Sequence, residues 1–138
     1  LEHALEAIQQ VRERSHGVAL VDTLENLRKG GRVSTLKAGI GSMLDLKLFV
    51  GLKEGLIEAM ESTRTRKKAI NRFIEMIEEQ GPLQQCAVLY TDNPEDAHSI
   101  VERLQVSVIE PIIVKCATTA IGVHTGPRAL GFATVRAE

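Results

Sequence analysis

The sequence predicts a two-layer α/β fold, in which helices pack mainly on one face of a mixed β-sheet. Short apolar runs typical of strands alternate along the chain with segments of helical periodicity. Two of the apolar runs are separated only by a short Gly-containing turn, which is typical of a hairpin. Alternating strands and helices together with hairpins are the pattern of layered sheet-and-helix domains.

Length and composition fit a single domain over residues 1–138. The hydrophobic fraction is 43% and the formal net charge is -1. A chain of this length can form one apolar core, and its charge argues against a general nucleic-acid partner. We expect no stable membrane insertion, because no apolar run approaches the length of a membrane span.

The helices are predicted from apolar spacing and capping residues. A leading helix falls within residues 1–16, and Gly30 is expected to give the second helix a left-handed C-cap. Ser62 or Thr63 should open the longest helix, and Pro94 lies in the first turn of the last one. The predicted helices span 1–14, 23–27, 35–44, 62–80 and 94–104.

The strands are predicted from short apolar runs bounded by turn residues. Gly17 should separate the leading helix from the first strand, and Pro111 interrupts a β-rich segment over 106–115. The remaining predicted strands span 18–21, 46–52, 56–60, 86–90 and 132–135.

Residues 116–131 carry the most informative chemistry. His124 and Thr125 follow an apolar run and precede a Gly-Pro turn. An imidazole and a hydroxyl suit the polar end of an apolar pocket, where both can donate to an anion. An ordinary loop with a satisfied histidine explains the same residues, and on this stretch alone it is favoured.

Two basic features admit a functional and an ordinary interpretation. Arg32 follows a glycine pair, so its guanidinium could clamp a carboxylate, or it could simply be solvated after a capped helix. Arg64, Arg66, Lys67 and Lys68 stand at the start of the longest helix, against its dipole. They fit an acidic-partner surface or a solvated helix face about equally well.

Standard catalytic patterns are not found in the sequence. There is no phosphate-binding glycine loop, and the four histidines have no metal-ligand spacing, so we expect no metal or cofactor. Cys86 and Cys116 lie in apolar runs and fit the buried, reduced thiols of a cytoplasmic protein. The residues therefore favour a binding or carrier protein over an enzyme.

Five motifs in order resemble the DegV family of bacterial fatty-acid-binding proteins. The resemblance covers nearly everything after residue 20. In sequence order the matching segments are LENLRKGGRVS (24–34), GSMLDLK (41–47), ESTRTRKKA (61–69), YTDNPEDA (90–97) and HTGPRAL (124–130).

The resemblance implies a fold and a function. The chain is similar to the C-terminal domain of a two-domain protein, whose N-terminal domain is expected as a partner. Such proteins are implied to bury a long-chain fatty acid and to present its carboxylate to a fatty-acid kinase, which forms an acyl phosphate for phospholipid synthesis.

The resemblance also implies site residues. By motif match, His124, Thr125 and Arg32 would bind the carboxylate, while Arg64 and Arg66 would face the kinase. Three positions depart from the family pattern. Leu48 stands in place of a proline, Tyr90 in place of a histidine and Arg128 in place of a glycine. The implied acyl-chain wall comprises Ile40, Leu44, Leu46 and Leu48.

Two other functions remain open. The related architecture of a dihydroxyacetone kinase subunit suggests a small-substrate enzyme or substrate-binding subunit with His124 as the substrate-holding residue. A plain interaction domain would use the basic residues from Arg64 to Lys68. A long apolar cavity favours the lipid ligand, whereas a small polar cavity favours a triose.

Overall fold

The structure is a computed structural model that describes residues 1–31, 46–53 and 55–138. This part of the chain contains five helices and six strands. In chain order they are α1 Glu2–Arg14, β1 Ser15–Val21, α2 Glu25–Lys29, β2 Lys47–Lys53, β3 Leu56–Thr63, α3 Arg66–Glu78, β4 Leu83–Tyr90, α4 Pro94–Arg103, β5 Ile113–Cys116, α5 Thr119–Thr125 and β6 Leu130–Arg136.

The strands form one six-stranded sheet in the order β3-β2-β1-β6-β4-β5. Neighbouring strands are antiparallel except β4 and β5, which are parallel and are linked through α4. The predicted hairpin is confirmed as β2 and β3, with Gly55 at a positive φ of 80° in the turn. The mixed α/β sheet predicted from sequence is therefore confirmed.

One face of the sheet carries the main core under α3 and α4. Phe73 of α3 is fully buried, and its ring meets that of Phe132 edge-on with centroids 5.2 Å apart. Val88 and Leu20 lie beneath them in the same cluster. Each large apolar side chain buried in this way contributes roughly 1.5–3 kcal/mol, so this face provides most of the packing.

The opposite face is covered by α2 and α5 and holds a smaller cluster. Val21, Leu48 and Val50 pack there with Leu27 of α2. Because strand side chains alternate between faces, Ala19 belongs with Val21 on this side. The two faces of one sheet therefore carry different kinds of packing.

Several strand boundaries differ from the sequence prediction, and β4 and β6 begin earlier than expected, at Leu83 and Leu130. β1 begins at Ser15 and runs through Gly17, because Gly17 pairs opposite Ala133 of β6 rather than breaking the chain. From the β-rich segment 106–115, only its end enters a strand, as Ile113–Cys116, while Val108 makes a single bridge to Leu83.

Helix termini differ as well, and the predicted helix over 35–44 lies outside the described residues. β3 extends to Thr63, so α3 starts at Arg66, and Thr65 caps it by accepting a hydrogen bond from the Lys68 backbone N–H at 3.3 Å. Gly30 has an ordinary φ of -78°, and it is Gly31 that takes the left-handed φ of 71°. The expected left-handed residue thus lies one position later, and Gly30 needs another explanation.

The leading helix α1 is confirmed, but its apolar face is not covered by other described residues. Leu5 and Ile8 are 58% and 65% exposed, and α1 buries no residue. Arg14 attaches its end to β6 by donating from Nη1 to the Arg136 carbonyl at 3.0 Å. Among the described residues, no helix has both the length and the apolar character needed to cross a membrane.

Candidate functional site

A cavity of about 520 Å³ lies between the sheet and α5. Its volume falls in the range of small-molecule sites. Nearly all of its described lining is apolar, and the side chains that carry polar groups are Tyr90, Thr91, His124 and Thr125. The site therefore combines an apolar interior with a limited set of polar groups.

Small residues in register form the floor of the cavity. Ala19 of β1 pairs directly with Gly131 of β6, and Gly17 lies two residues before Ala19 on the same face. On either side, Leu89 is the register partner of Gly131, and Val50 that of Ala19. Small side chains in the middle of the sheet between larger flanking ones leave an open trough.

The histidine that the sequence singles out stands in the last turn of α5. Sequence reasoning missed this helix, because its Thr, Ile and Val residues are weak helix formers. His124 lines the cavity, and its Nδ1 atom is enclosed without a hydrogen-bond partner among the described residues. A buried polar atom left unpaired costs about 1–3 kcal/mol. The packing around the ring has to offset this cost to keep His124 in place.

Thr125 also lines the cavity, as predicted, but its hydroxyl is engaged within the helix. Its Oγ1 donates to the carbonyl of Ile121 at 3.1 Å. A hydroxyl that donates to the fourth preceding carbonyl still has lone pairs to accept with. Thr125 would have to break this bond before it could donate to a ligand.

The loop after α5 is fixed by the two residues that directly follow β4. The Arg128 backbone N–H donates to Asp92 Oδ1 at 2.6 Å, and Ala129 N–H donates to Thr91 Oγ1 at 3.0 Å. Arg128 takes a positive φ of 57°. The left-handed conformation that suits glycine is therefore present here even though this chain has arginine.

A charged network lies beside this loop and involves one of the predicted partner residues. Asp22 pairs with Arg66 at 2.9 Å and with Lys47 at 3.3 Å, and Arg66 also pairs with Asp96 at 2.7 Å. Arg128 approaches Asp22 more distantly, at 3.9 Å. The Arg66 side chain is only 15% exposed. Arg66 therefore joins α3 to β1 and α4 instead of lying on a free surface.

The other predicted residues fall into three groups. Arg32, Ile40 and Leu44 lie outside the described residues. Leu46 and Leu48 are not among the described residues that line the cavity, and Leu48 packs in the smaller cluster with Val21 and Leu27. Arg64 is exposed at the start of α3, as a partner surface requires.

Of the implied acyl-chain wall, Leu46 and Leu48 are absent from the described lining, while Ile40 and Leu44 lie outside the described residues. The described lining comes from the strand residues of the trough and from apolar residues of α5 such as Ile121. The alternation of small residues in 17–19 and 131–133 is a signal for this in the sequence. Its meaning depends on the pairing of β1 with β6, which a single sequence does not reveal.

Other reactive groups in the described chain do not assemble a site. Burial raises the pKa of the Cys86 thiol to about 11, so it remains a buried thiol in the main core. Cys116 was expected to be buried but is exposed at the end of β5, where its Sγ lies 3.4 Å from the Thr91 carbonyl. No group of three potential metal ligands occurs among the described residues.

Comparisons with known proteins agree with this architecture. The model of the DegV family matches residues 1–137. A DegV domain-containing protein of Streptomyces coelicolor is 35% identical over 133 residues, which cover 91% of this chain and 47% of that protein.

Two solved structures share the fold at appreciable identity. One is a DegV family protein from Thermus thermophilus described by its fatty acid binding, with a TM-score of 0.85 and 28% identity over 99% of this chain and 51% of that one. The other is DegV of Bacillus subtilis, described as a fatty acid binding protein, with a TM-score of 0.79 and 30% identity over 98% and 50% of the two chains. The chain thus spans about half the length of the proteins it matches.

Proposed function

The chain belongs to the DegV family, and on this premise we propose that it contributes one domain of a carrier for a long-chain fatty acid. The observation that supports this proposal is the apolar cavity of about 520 Å³ on the face of the sheet that carries Ala19 and Gly131, with His124 in its lining. A fatty acid needs a long apolar space and a few polar donors at one end. Both solved relatives described above bind fatty acids.

The proposal gives the two ends of the ligand different partners. The hydrocarbon chain occupies the trough over Ala19 and Gly131, and the carboxylate lies near His124. Arg32 belongs to the same carboxylate site by motif match. Thr125 joins the site if its hydroxyl leaves the Ile121 carbonyl.

The complete protein would also supply partners that this chain does not contain. Because the chain spans about half of its relatives, we propose that it is the C-terminal domain and that an N-terminal domain completes the carboxylate site. We further propose that the carrier presents the carboxylate to a fatty-acid kinase in the cytoplasm. Arg64, Lys67 and Lys68 are exposed at the start of α3 and would meet an acidic surface of that kinase.

The enzymatic alternative places a small carbonyl compound on His124. Such a substrate calls for a small polar cavity, whereas the described lining is apolar over most of its extent. The chemistry of the cavity therefore favours a lipid.

Fatty-acid affinity in the complete protein tests the proposal. Replacing His124 by Ala removes a hydrogen bond to a charged carboxylate, which should weaken binding about tenfold or more. His98 on α4 does not line the cavity, so His98→Ala is a matched control and should bind normally. Equal affinities for wild type and His124→Ala, measured by titration with oleate, would contradict the carboxylate assignment.

The kinase surface has its own test. Arg64→Glu should lower the rate of acyl-phosphate formation by a fatty-acid kinase without changing the bound lipid. Glu58→Arg, an exposed charge reversal on β3, is the control. If Arg64→Glu left the rate unchanged, the partner would have to dock elsewhere.

A further inference from the structure

Helix α2 contacts α5 at the residue that carries the proposed function. Gly30, directly after α2, faces the imidazole so closely that a methyl group in its place would lie 2.5 Å from His124 Nδ1 and 3.1 Å from Cε1. Side chains do not approach a Cβ atom so closely without moving. Because Gly30 has an ordinary φ of -78°, its backbone does not require glycine, and the nearby ring does.

A second contact fixes the same pair of helices. Asn26 Nδ2 donates to the carbonyl of Val123, the residue before His124, at 3.2 Å. Gly126, just after α5, lies against the Asn26 side chain, where a methyl group would come within 3.0 Å of Cγ. The backbone on both sides of His124 is therefore held by one side chain of α2.

The enclosed nitrogen shows what this packing does to the ring. His124 Nδ1 is shut off from solvent and has no partner among the described residues. A buried N–H without an acceptor is rarer in proteins than an unpaired acceptor, which favours a bare Nδ1 and a proton on Nε2. Packing against Gly30 thereby leaves Nε2–H as the nitrogen available to donate to a ligand.

We propose that α2 positions His124 in the carboxylate site. The His124 ring packs against Gly30, and Asn26 holds α5 in place through its hydrogen bond to the Val123 carbonyl. This inference rests on the proposed function, because it assigns His124 its orientation toward the ligand head group. Neither Gly30 nor Asn26 needs to touch the ligand. Both act through His124, which makes them positioning residues.

A double-mutant cycle in the complete protein tests whether Gly30 positions the His124 ring. With His124 present, Gly30→Ala pushes the ring aside, so oleate affinity should fall about tenfold and the unfolding midpoint should drop. With His124→Ala the contacts at 2.5 and 3.1 Å are gone and the Asn26 carbonyl oxygen at 3.3 Å remains, so adding Gly30→Ala should change both quantities much less. A purely structural role for Gly30 would give the same loss in both backgrounds.

A second variant covers the case in which Gly30→Ala does not fold. Asn26→Asp keeps the shape of the side chain but cannot donate to the Val123 carbonyl, so it should weaken oleate binding several-fold. The control is Gly122→Ala within α5, where the nearest atom to an added methyl group is Thr91 Cγ2 at 4.0 Å. Gly122→Ala should retain normal affinity.

Nitrogen NMR of the imidazole, without ligand, gives an independent readout. The wild type should show the proton on Nε2, and Gly30→Ala should shift the His124 ring signals. Unshifted signals, or equal losses of affinity and unfolding midpoint with and without His124, would contradict the role of Gly30 in positioning the ring. If His124→Ala alone leaves oleate affinity unchanged, the assignment of His124 to the carboxylate is wrong. The unfolding midpoints and the ring signals then still decide whether Gly30 positions the ring.

Discussion

The two faces of the central sheet differ in the size of the side chains they carry. On the side of α3 and α4, large residues such as Phe49, Phe73 and Phe132 are buried together in the main core. On the side of α2 and α5, Gly17, Ala19 and Gly131 occupy the middle of the same strands and leave a cavity. One sheet thus provides packing with one face and an apolar cavity, our proposed ligand site, with the other.

The largest expected effect on stability is on the filled face, which is the side of the sheet that packs against α3 and α4. Replacing Phe73 by Ala leaves a hole under α3 and should reduce the free energy of unfolding by about 3–5 kcal/mol. The matched change on the other face, Leu89→Ala, removes a side chain that already borders the cavity and should cost less than half as much. Denaturant unfolding measures both, and equal losses would contradict the difference between the faces.

A pH effect also belongs to the filled face. Burial raises the pKa of Cys86 to about 11 from its ordinary value of 9.0. Above pH 9 the unfolded chain loses this proton while the folded protein keeps it, so stability present below pH 9 is lost as pH rises toward 11. Cys86→Ala should show a smaller loss over that range in urea unfolding. An identical loss in both proteins would show that Cys86 is not responsible.

A change on the open face, which is the side of the sheet with the cavity, should affect fatty-acid binding more than stability. Gly131→Val fills the trough beside Leu89, and an added methyl group would make only ordinary contacts, 3.7 Å from Leu89 Cβ and from the Val18 carbonyl oxygen. We expect oleate affinity to fall about tenfold with the unfolding midpoint nearly unchanged. Ala133→Val, two residues along on the same face but outside the cavity lining, is the control. If both variants bound equally well, the trough would not be the acyl site.

The smallest effect concerns the loop that borders the open face. Arg128 has a positive φ of 57°, which strains a residue with a Cβ atom. Arg128→Gly should therefore raise the free energy of unfolding by about 0.5–1 kcal/mol. Arg128→Ala keeps the strain and loses the distant ion pair with Asp22, so it should give no gain. A gain in both variants would point to the charge and not to the backbone.

Features that depend on neighbouring residues could be predicted from the sequence. The hairpin of β2 and β3 and the apolar face of α3 follow from local periodicity and turn chemistry. His124 is a candidate in the sequence because an imidazole at the edge of an apolar run suits the polar end of a pocket, even though that stretch alone favours an ordinary loop. The structure places His124 in the lining of the cavity.

Features that depend on distant pairing could not be predicted. The trough requires the register of Ala19 with Gly131, which are far apart in sequence. Arg66 was placed on a surface because the sequence does not show that Asp22 and Asp96 lie within reach. The role of Gly30 was assigned to its backbone, since nothing local reveals that the His124 ring packs against it.

The central claim is that the open face of the sheet holds a fatty acid. Mass spectrometry of lipids extracted from the purified complete protein tests it most directly. The account predicts a near-stoichiometric long-chain fatty acid in the wild type and a reduced amount in Gly131→Val. A folded protein that contains no lipid and does not take up added oleate would contradict it.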